Sequence, residues 1–184
     1  EIEKIGSTGR ALAHVQIQIR DDTGAPLPPG QAGEICLRGP KLTPGYWNDA
    51  VRTAASFFGD WFRTGDVGYL DAEGFLYLTD RKKDMIISGG ENIASSEVER
   101  VLYQLPQVLE AAAIGLPDER WGERVTAIVV LRPGTTLTLD DLRAHCDGRL
   151  GGFKTPRQLI VRDALPRNPS GKVLKRVLRD ELAG

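Results

Sequence analysis

Lys172 closes a short run, Asn168-Pro169-Ser170-Gly171-Lys172, in which a turn delivers a single lysine. Proline, serine and glycine favour tight turns, so this order places one ammonium group at the tip of a loop. An amphipathic helix is predicted to begin at about Lys172. A compact cation on a flexible stem is suited to an anionic site built by another part of a protein. The ordinary alternative is a solvated surface lysine, which these residues alone leave open.

A carboxylate follows Thr64 and Gly65 at position 66, close to the predicted end of a strand. The two oxygens of an aspartate lie side by side and can accept hydrogen bonds from both hydroxyls of a diol such as ribose. Aspartate beside glycine more commonly bonds the backbone of its own turn. Asp66 is therefore either a ribose ligand or an aspartate that stabilises its own turn.

The charged run Asp80-Arg81-Lys82-Lys83-Asp84 leads into an apolar stretch and then into Ser88-Gly89-Gly90. The forked donors of Arg81 suit a nucleotide phosphate or ribose, although most charge runs are solvated linkers. Paired glycines after a strand allow another backbone or a thin ligand to approach closely. A phosphate-binding P-loop around Lys172 is excluded, because Pro166 and Val173 occupy positions that require glycine and serine or threonine.

The chain has 184 residues and a net charge of −1. Its length and composition predict an ordinary globular protein of one domain or two small ones. This charge gives no reason to expect nucleic acid as a partner. We find no apolar run of about 20 residues that could cross a bilayer, and no signal peptide. Cys36 and Cys146 stand alone, so we expect neither a disulfide nor a metal site. We expect a cytoplasmic location.

The pattern of apolar residues predicts an α+β fold in two parts. Residues 1–79 read as a β-rich, barrel-like subdomain, with a short helix at 50–58 between its strands. Residues 80–184 read as a small mixed α/β lid domain of βαββαβα order. Capping boxes are predicted to open two of its helices, at Ser96 with Glu99 and at Thr138 with Asp141. The predicted strands span residues 15–19, 34–38, 68–70, 75–78, 108–116, 125–131 and 158–161.

Five segments in order resemble the adenylate-forming enzymes, which include acyl-CoA synthetases, firefly-type luciferases and peptide-synthetase adenylation domains. The resemblance covers the whole chain. Its segments are Gly45-Tyr46-Trp47-Asn48, Thr64-Gly65-Asp66, residues 80–92, residues 117–123 and residues 166–172.

The resemblance implies an ATP-dependent carboxylic acid–CoA ligase that forms an acyl-adenylate and then a thioester. Asp66 and Arg81 would bind the ribose of ATP and AMP, and Lys172 would contact the acyl carboxylate and the α-phosphate. Lys83 falls at the family's hinge. Rotation there would withdraw Lys172 and bring Ser88, Gly89 and Gly90 to the route of CoA.

Relatives are about three times as long, so the resemblance implies a C-terminal portion that lacks its N-terminal domain and is inactive alone. Magnesium, as Mg-ATP, would be held mainly outside it, and the acid would be a fatty or aryl acid. Some relatives carry lysines at the positions of Ile87 and Gly89, which leaves contacts there open. The alternatives are an adenylating enzyme that loads a carrier protein, or a non-catalytic interaction or regulatory fragment.

Overall fold

Two compact units make up the chain, which a computed structural model describes over residues 4–183. The contacts divide between Lys83 and Asp84. The sequence places the boundary after residue 79, but β-structure continues through Arg81 and a short 3-10 turn covers Lys82–Asp84. We call the two parts the β-rich unit and the lid unit.

The β-rich unit is a five-stranded antiparallel sheet with one short helix. The strands lie in the order β1-β2-β4-β3, and β5 pairs with β4. Its elements are β1 Gln16–Arg20, β2 Gly33–Arg38, α1 Ala50–Ala55, β3 Phe57–Phe58, β4 Trp61–Leu70 and β5 Leu76–Arg81.

Helix α1 is shorter than the predicted helix over residues 50–58. Asp49 caps its first turn by accepting a hydrogen bond from the Arg52 N–H at 2.8 Å. The helix ends at Ala55, and Phe57 then pairs with Phe62 of β4, the two rings meeting edge to face at 5.5 Å. Aromatic residues pack well on a pleated sheet, so cross-strand pairing overrides the helical pattern here.

The lid unit contains a second five-stranded sheet, in the order β10-β9-β6-β7 with β8 beside β9. Its element order is ββαββαβα, which confirms the α+β class and adds a hairpin where a single strand was expected. Its elements are β6 Ile86–Ser88, β7 Glu91–Ile93, α2 Ser95–Leu102, β8 Val108–Asp118, β9 Gly122–Leu131, α3 Leu139–Cys146, β10 Gln158–Val161 and α4 Lys175–Leu182.

Helices cover both faces of the central strands of this sheet. Leu102 of α2 and Leu142 of α3 join one fully buried cluster, while Leu178 of α4 joins the other. Alternate residues of β8, such as Ala113 and Ile114, belong to opposite clusters. Burial on both faces explains why β8 and β9 are continuously apolar. No helix within residues 4–183 is long and apolar enough to span a membrane.

The two predicted capping boxes have different outcomes. Thr138 and Asp141 form the reciprocal hydrogen bonds of a capping box at the start of α3, which confirms that prediction. The Ser96 prediction is wrong, because α2 begins at Ser95 with Ala94 at the N-cap position. The Glu99 carboxylate accepts a hydrogen bond from the Ala113 N–H of β8 at 2.9 Å, so a tertiary contact holds this side chain.

Candidate functional site

Asp66 and Arg81 face each other across the antiparallel strands β4 and β5. The Asp66 Oδ1 lies 3.4 Å from the Arg81 Nε, and both side chains remain partly exposed, at 38% and 47%. The hydroxyl of Thr64 accepts the Asp66 N–H at 3.1 Å and donates to the Ile35 carbonyl at 2.8 Å. Thr64 therefore fixes the local backbone, and the Asp66 carboxylate points to a cationic neighbour with solvent beside it.

An open cleft of about 510 Å³ surrounds this pair within the β-rich unit. We call it the Asp66 cleft. Gly65, at a φ of +74°, lies in its wall with open space where a Cβ would stand. A left-handed residue of this kind favours glycine, and the missing side chain leaves space beside Asp66. The lining residues are Glu34, Ala55, Ser56, Arg63, Thr64, Gly65, Asp66, Arg81, Lys82 and Lys83.

A buried carboxylate, Glu34, binds two cationic side chains at the base of the Asp66 cleft. Glu34 is 5% exposed and accepts hydrogen bonds from Arg63 Nη2 at 2.9 Å and Lys82 Nζ at 2.8 Å. Burial by itself would raise the Glu34 pKa, but the hydrogen bonds from Arg63 and Lys82 outweigh it and lower that pKa below its ordinary value. Glu34 therefore stays ionised and neutralises part of the positive charge of the cleft.

Lys82 has a second anionic partner, because its ammonium lies 2.6 Å from the Asp22 carboxylate. Burial disfavours the charged form of Lys82, yet its hydrogen bonds to Asp22 and Glu34 raise its pKa above the ordinary value. Glu34, Arg63 and Lys82 were not among the residues expected from sequence. The signal in the sequence was a glutamate opening the apolar run Ile35-Cys36-Leu37, and its partners lie far along the chain.

Lys83 lies between two anchored residues. Lys82 is bound to Glu34 and Asp22 within the β-rich unit. Asp84 is 9% exposed and accepts a hydrogen bond from Arg179 Nη2 of α4 at 2.8 Å, within the lid unit. Lys83 is exposed, and its ammonium forms no ion pair within residues 4–83. Lys83 itself lies inside the 3-10 turn Lys82–Asp84.

The glycine pair forms the turn of the β6-β7 hairpin, with Gly89 at φ +62° and Gly90 at φ +83°. Two consecutive positive φ values are those of a type I′ turn, which suits Gly-Gly. The Gly89 N–H donates to the Trp121 carbonyl at 2.8 Å, and a Cβ on Gly89 would meet the Trp121 ring at 3.0 Å. Ser88 is 3% exposed, so the glycines, and not Ser88, form the accessible surface of this segment.

Lys172 lies in a loop that precedes α4, three residues before the first residue of that helix. We call residues 167–175 the lysine loop. The Asn168 Oδ1 accepts hydrogen bonds from the Ser170 N–H at 3.1 Å, the Ser170 hydroxyl at 2.8 Å and the Lys172 N–H at 2.8 Å. One asparagine side chain therefore shapes the whole turn. The Lys172 side chain is exposed and forms no ion pair within residues 84–183.

The structure thus brings Asp66, Arg81 and Lys83 to one cleft in the β-rich unit. Lys172 and the glycine turn belong to the lid unit. Among residues 4–183, no cluster of three or more histidine, cysteine, aspartate or glutamate side chains forms a metal site. Cys36 and Cys146 are free and buried, one in each unit.

Two family models match parts of this chain. Residues 97–172 match the AMP-binding enzyme C-terminal domain, and residues 1–47 match the AMP-binding enzyme family. The chain is 45% identical over 180 residues to an indoleacetate–CoA ligase of Aromatoleum aromaticum, covering 98% of this chain and 35% of that protein. It is 43% identical to a long-chain-fatty-acid–CoA ligase of Mycobacterium tuberculosis, with the same two coverages.

Solved structures give the same result. The o-succinylbenzoate CoA synthetase of Bacillus subtilis, in complex with its acyl-adenylate intermediate OSB-AMP, superposes with a TM-score of 0.89 at 44% identity. The match covers 97% of this chain and 36% of that structure. The chain belongs to the AMP-binding, adenylate-forming enzymes and contains their C-terminal domain. It spans about a third of the length of the relatives it matches.

Proposed function

We propose that this chain supplies the ribose-binding residues and the adenylation lysine of an ATP-dependent carboxylic acid–CoA ligase. The observation that carries the proposal is the Asp66–Arg81 pair, half exposed in an open cleft on adjacent strands. Membership of a family whose similar members are CoA ligases supports the same reaction class.

The Asp66–Arg81 pair fits a ribose diol better than a purely structural ion pair. A separation of 3.4 Å between Nε and Oδ1 is longer than a close charge-assisted hydrogen bond. The Asp66 oxygens therefore retain capacity to accept the 2′- and 3′-hydroxyls of ATP or AMP. The Arg81 guanidinium lies beside that carboxylate and can donate to the same ribose.

Lys172 fits the adenylation step through its charge and its lack of a partner. Attack of a carboxylate on the α-phosphate of ATP forms a carbon–oxygen–phosphorus link and expels pyrophosphate. The two reacting groups are both anionic, and an ammonium placed between them offsets the repulsion as the charge develops. A lysine with no ion pair in its own unit pays no cost of breaking one when it enters the site.

Lys83 fits a pivot for the second step. In that step the CoA thiolate attacks the acyl carbon and releases AMP, so Lys172 must leave and the thiol must enter. Because ion pairs hold the Lys82 and Asp84 side chains on either side, Lys83 is the residue at which we infer that the backbone rotates. The exposed Gly89-Gly90 turn would then border the pantetheine arm of CoA.

Lys172→Ala tests the adenylation role in the full-length enzyme. The acid is first selected from a panel of indoleacetate, 2-succinylbenzoate and a long-chain fatty acid, the acids of the similar ligases. We expect acid-dependent pyrophosphate exchange to fall about 100-fold or more, because one preorganised charge at a transition state is worth that much. Thioester formation from supplied acyl-adenylate should keep its rate.

Arg176→Ala is the matched control, since it removes an exposed cation four residues further along, on α4. It should leave both half-reactions unchanged. Equal losses in the two half-reactions of Lys172→Ala would refute the assignment. The 184-residue chain alone is expected to show no ligase turnover. Loading of a carrier protein in place of CoA, measured with the same acid, would favour the carrier-protein alternative.

A further inference from the structure

An ion pair with Glu110 of β8 holds the first residue of the lysine loop. The Arg167 Nη2 lies 2.9 Å from the Glu110 Oε2, and its Nη1 donates to the Gly171 carbonyl at 2.5 Å. The Gly171 carbonyl belongs to the residue directly before Lys172. One guanidinium therefore ties the backbone beside Lys172 to strand β8 of the lid sheet.

A second ion pair holds the other end of the lysine loop. The Lys175 Nζ lies 2.7 Å from the Glu99 Oε1 and donates to the Ser95 hydroxyl at 2.6 Å, both on α2. The Lys175 and Glu99 side chains are 12% and 18% exposed. The same Glu99 oxygen accepts the Ala113 N–H of β8, so this contact joins α2, α4 and the sheet.

The loop between these contacts needs such restraint. Gly171 has a φ of +82° and open space around its Cβ position, so no side-chain packing restrains it there, although its N–H donates to the Asn168 carbonyl at 2.9 Å. Glycine also loses the most conformational freedom when its backbone is fixed. Arg167 removes part of that freedom through the Gly171 carbonyl, while the Lys172 ammonium is left without a partner in residues 84–183.

We propose that Arg167 and Glu110 are positioning residues for adenylation, which hold the lysine loop so that Lys172 enters the site in one geometry. The Lys175–Glu99 pair fixes the far end of the loop. This inference rests on the proposed function of Lys172. Misplacement of a reacting group by about 1 Å can cost about 100-fold in rate, so a loosened loop should slow the step that uses Lys172.

The test compares two half-reactions in Arg167→Met, Glu110→Gln and the double variant, made in the full-length enzyme. Arg167→Met should lower acid-dependent pyrophosphate exchange about tenfold. It removes the hydrogen bond to the Gly171 carbonyl and the ion pair with Glu110. Thioester formation from supplied acyl-adenylate should stay within about twofold, since Lys172 takes no part in it. The double variant should be no slower than Arg167→Met, because both changes break the same contact.

The control pair is Arg162–Glu181 in the same unit. It joins the residue directly after β10 to α4 with an N–O distance of 2.6 Å. Arg162→Met and Glu181→Gln should leave the ratio of the two half-reactions unchanged. Thermal unfolding of every variant separates lost stability from lost positioning, because a merely structural role lowers Tm and slows both half-reactions together.

Three results overturn the positioning role: an unchanged ratio of the half-reactions in Arg167→Met, independent effects that multiply in the double variant, or an equal change in the Arg162–Glu181 controls. The proposed function is tested separately by Lys172→Ala. If that variant retains pyrophosphate exchange, the role of Lys172 fails and the positioning role fails with it. If it loses exchange while Arg167→Met does not, only the positioning role is wrong.

Discussion

In the Asp66 cleft, the Asp66 and Arg81 side chains face each other across paired strands, whereas Lys172 in the lysine loop has no ion-pair partner within residues 84–183. The cleft charges are held by sheet register, and Glu34 beneath them is almost fully buried. The Lys172 ammonium is exposed, and only the backbone around it is held, by Asn168 and Arg167.

The difference teaches how each charge can be used. A residue that binds ribose through both half-reactions benefits from a fixed partner, because its geometry never has to change. A lysine that serves one half-reaction has to leave, and a strong ion pair in either position would oppose the movement. Restraint of the loop backbone with a free ammonium satisfies both needs. The comparison predicts that cleft variants damage both half-reactions and loop variants damage one.

Asp66→Ala should have the largest effect that the comparison predicts for the cleft. Hydrogen bonds to a charged group are worth about 1.5–3 kcal/mol, so kcat/KM for ATP should fall about 100-fold. Because the ribose remains in the acyl-adenylate, the thioester step should fall as well. Rate measurements of both half-reactions check this. Asp60→Ala is the control, since Asp60 is an exposed carboxylate of the same unit paired with Arg38. Damage confined to adenylation would break the comparison.

The sequence predicted the lysine turn because local signals carry it: Asn168-Pro169-Ser170-Gly171 has its own turn chemistry. Asp66 was expected at a strand-end turn, but it lies inside the long strand β4, and its pairing with Arg81 depends on the register of β4 and β5. The charge network around Glu34 could not be predicted, since Arg63 and Lys82 reach it only through pairing of β2 with β4 and the course of the chain after β5. The same holds for Arg167 and Glu110, which are 57 residues apart.

The helix starts show the same limit. The Thr138–Asp141 box depends on neighbouring residues alone, and it formed as predicted. Glu99 fits the same local pattern, but Lys175 and the Ala113 N–H hold its carboxylate. The sequence did not predict the β6-β7 hairpin, although Gly-Gly is a recognised two-residue hairpin turn. Helix α4 begins at Lys175, three residues later than expected, because Asn168 keeps the Lys172 N–H in the turn.

Lys83→Pro sharpens the comparison at the junction of the two units. Proline fixes φ near −65° and restricts the preceding residue, so rotation at Lys83 should be hindered. We expect thioester formation to slow about tenfold, while adenylation keeps its rate, because only the second step requires the rotation. Lys83→Ala removes the ammonium but leaves the backbone free, and it should stay near the parent rates. A similar loss in Lys83→Ala would assign the effect to charge and would contradict the pivot.

Glu34→Gln should have the smallest effect and should act on stability. It replaces two charge-assisted hydrogen bonds with weaker neutral ones, at a cost of about 1 kcal/mol to the β-rich unit. The folded pKa of Glu34 is lowered, so its contribution is present above the unfolded pKa of about 4.3 and disappears as pH falls through the folded pKa. Urea unfolding, followed by tryptophan fluorescence that includes the buried Trp61 of the β-rich unit, should therefore separate parent from variant at pH 7 but less so at pH 3. Asp60→Asn, which neutralises an exposed carboxylate, should cost little at either pH. A difference between Glu34→Gln and parent that persists unchanged at pH 3 would show that packing, and not the charge of Glu34, holds the base of the Asp66 cleft.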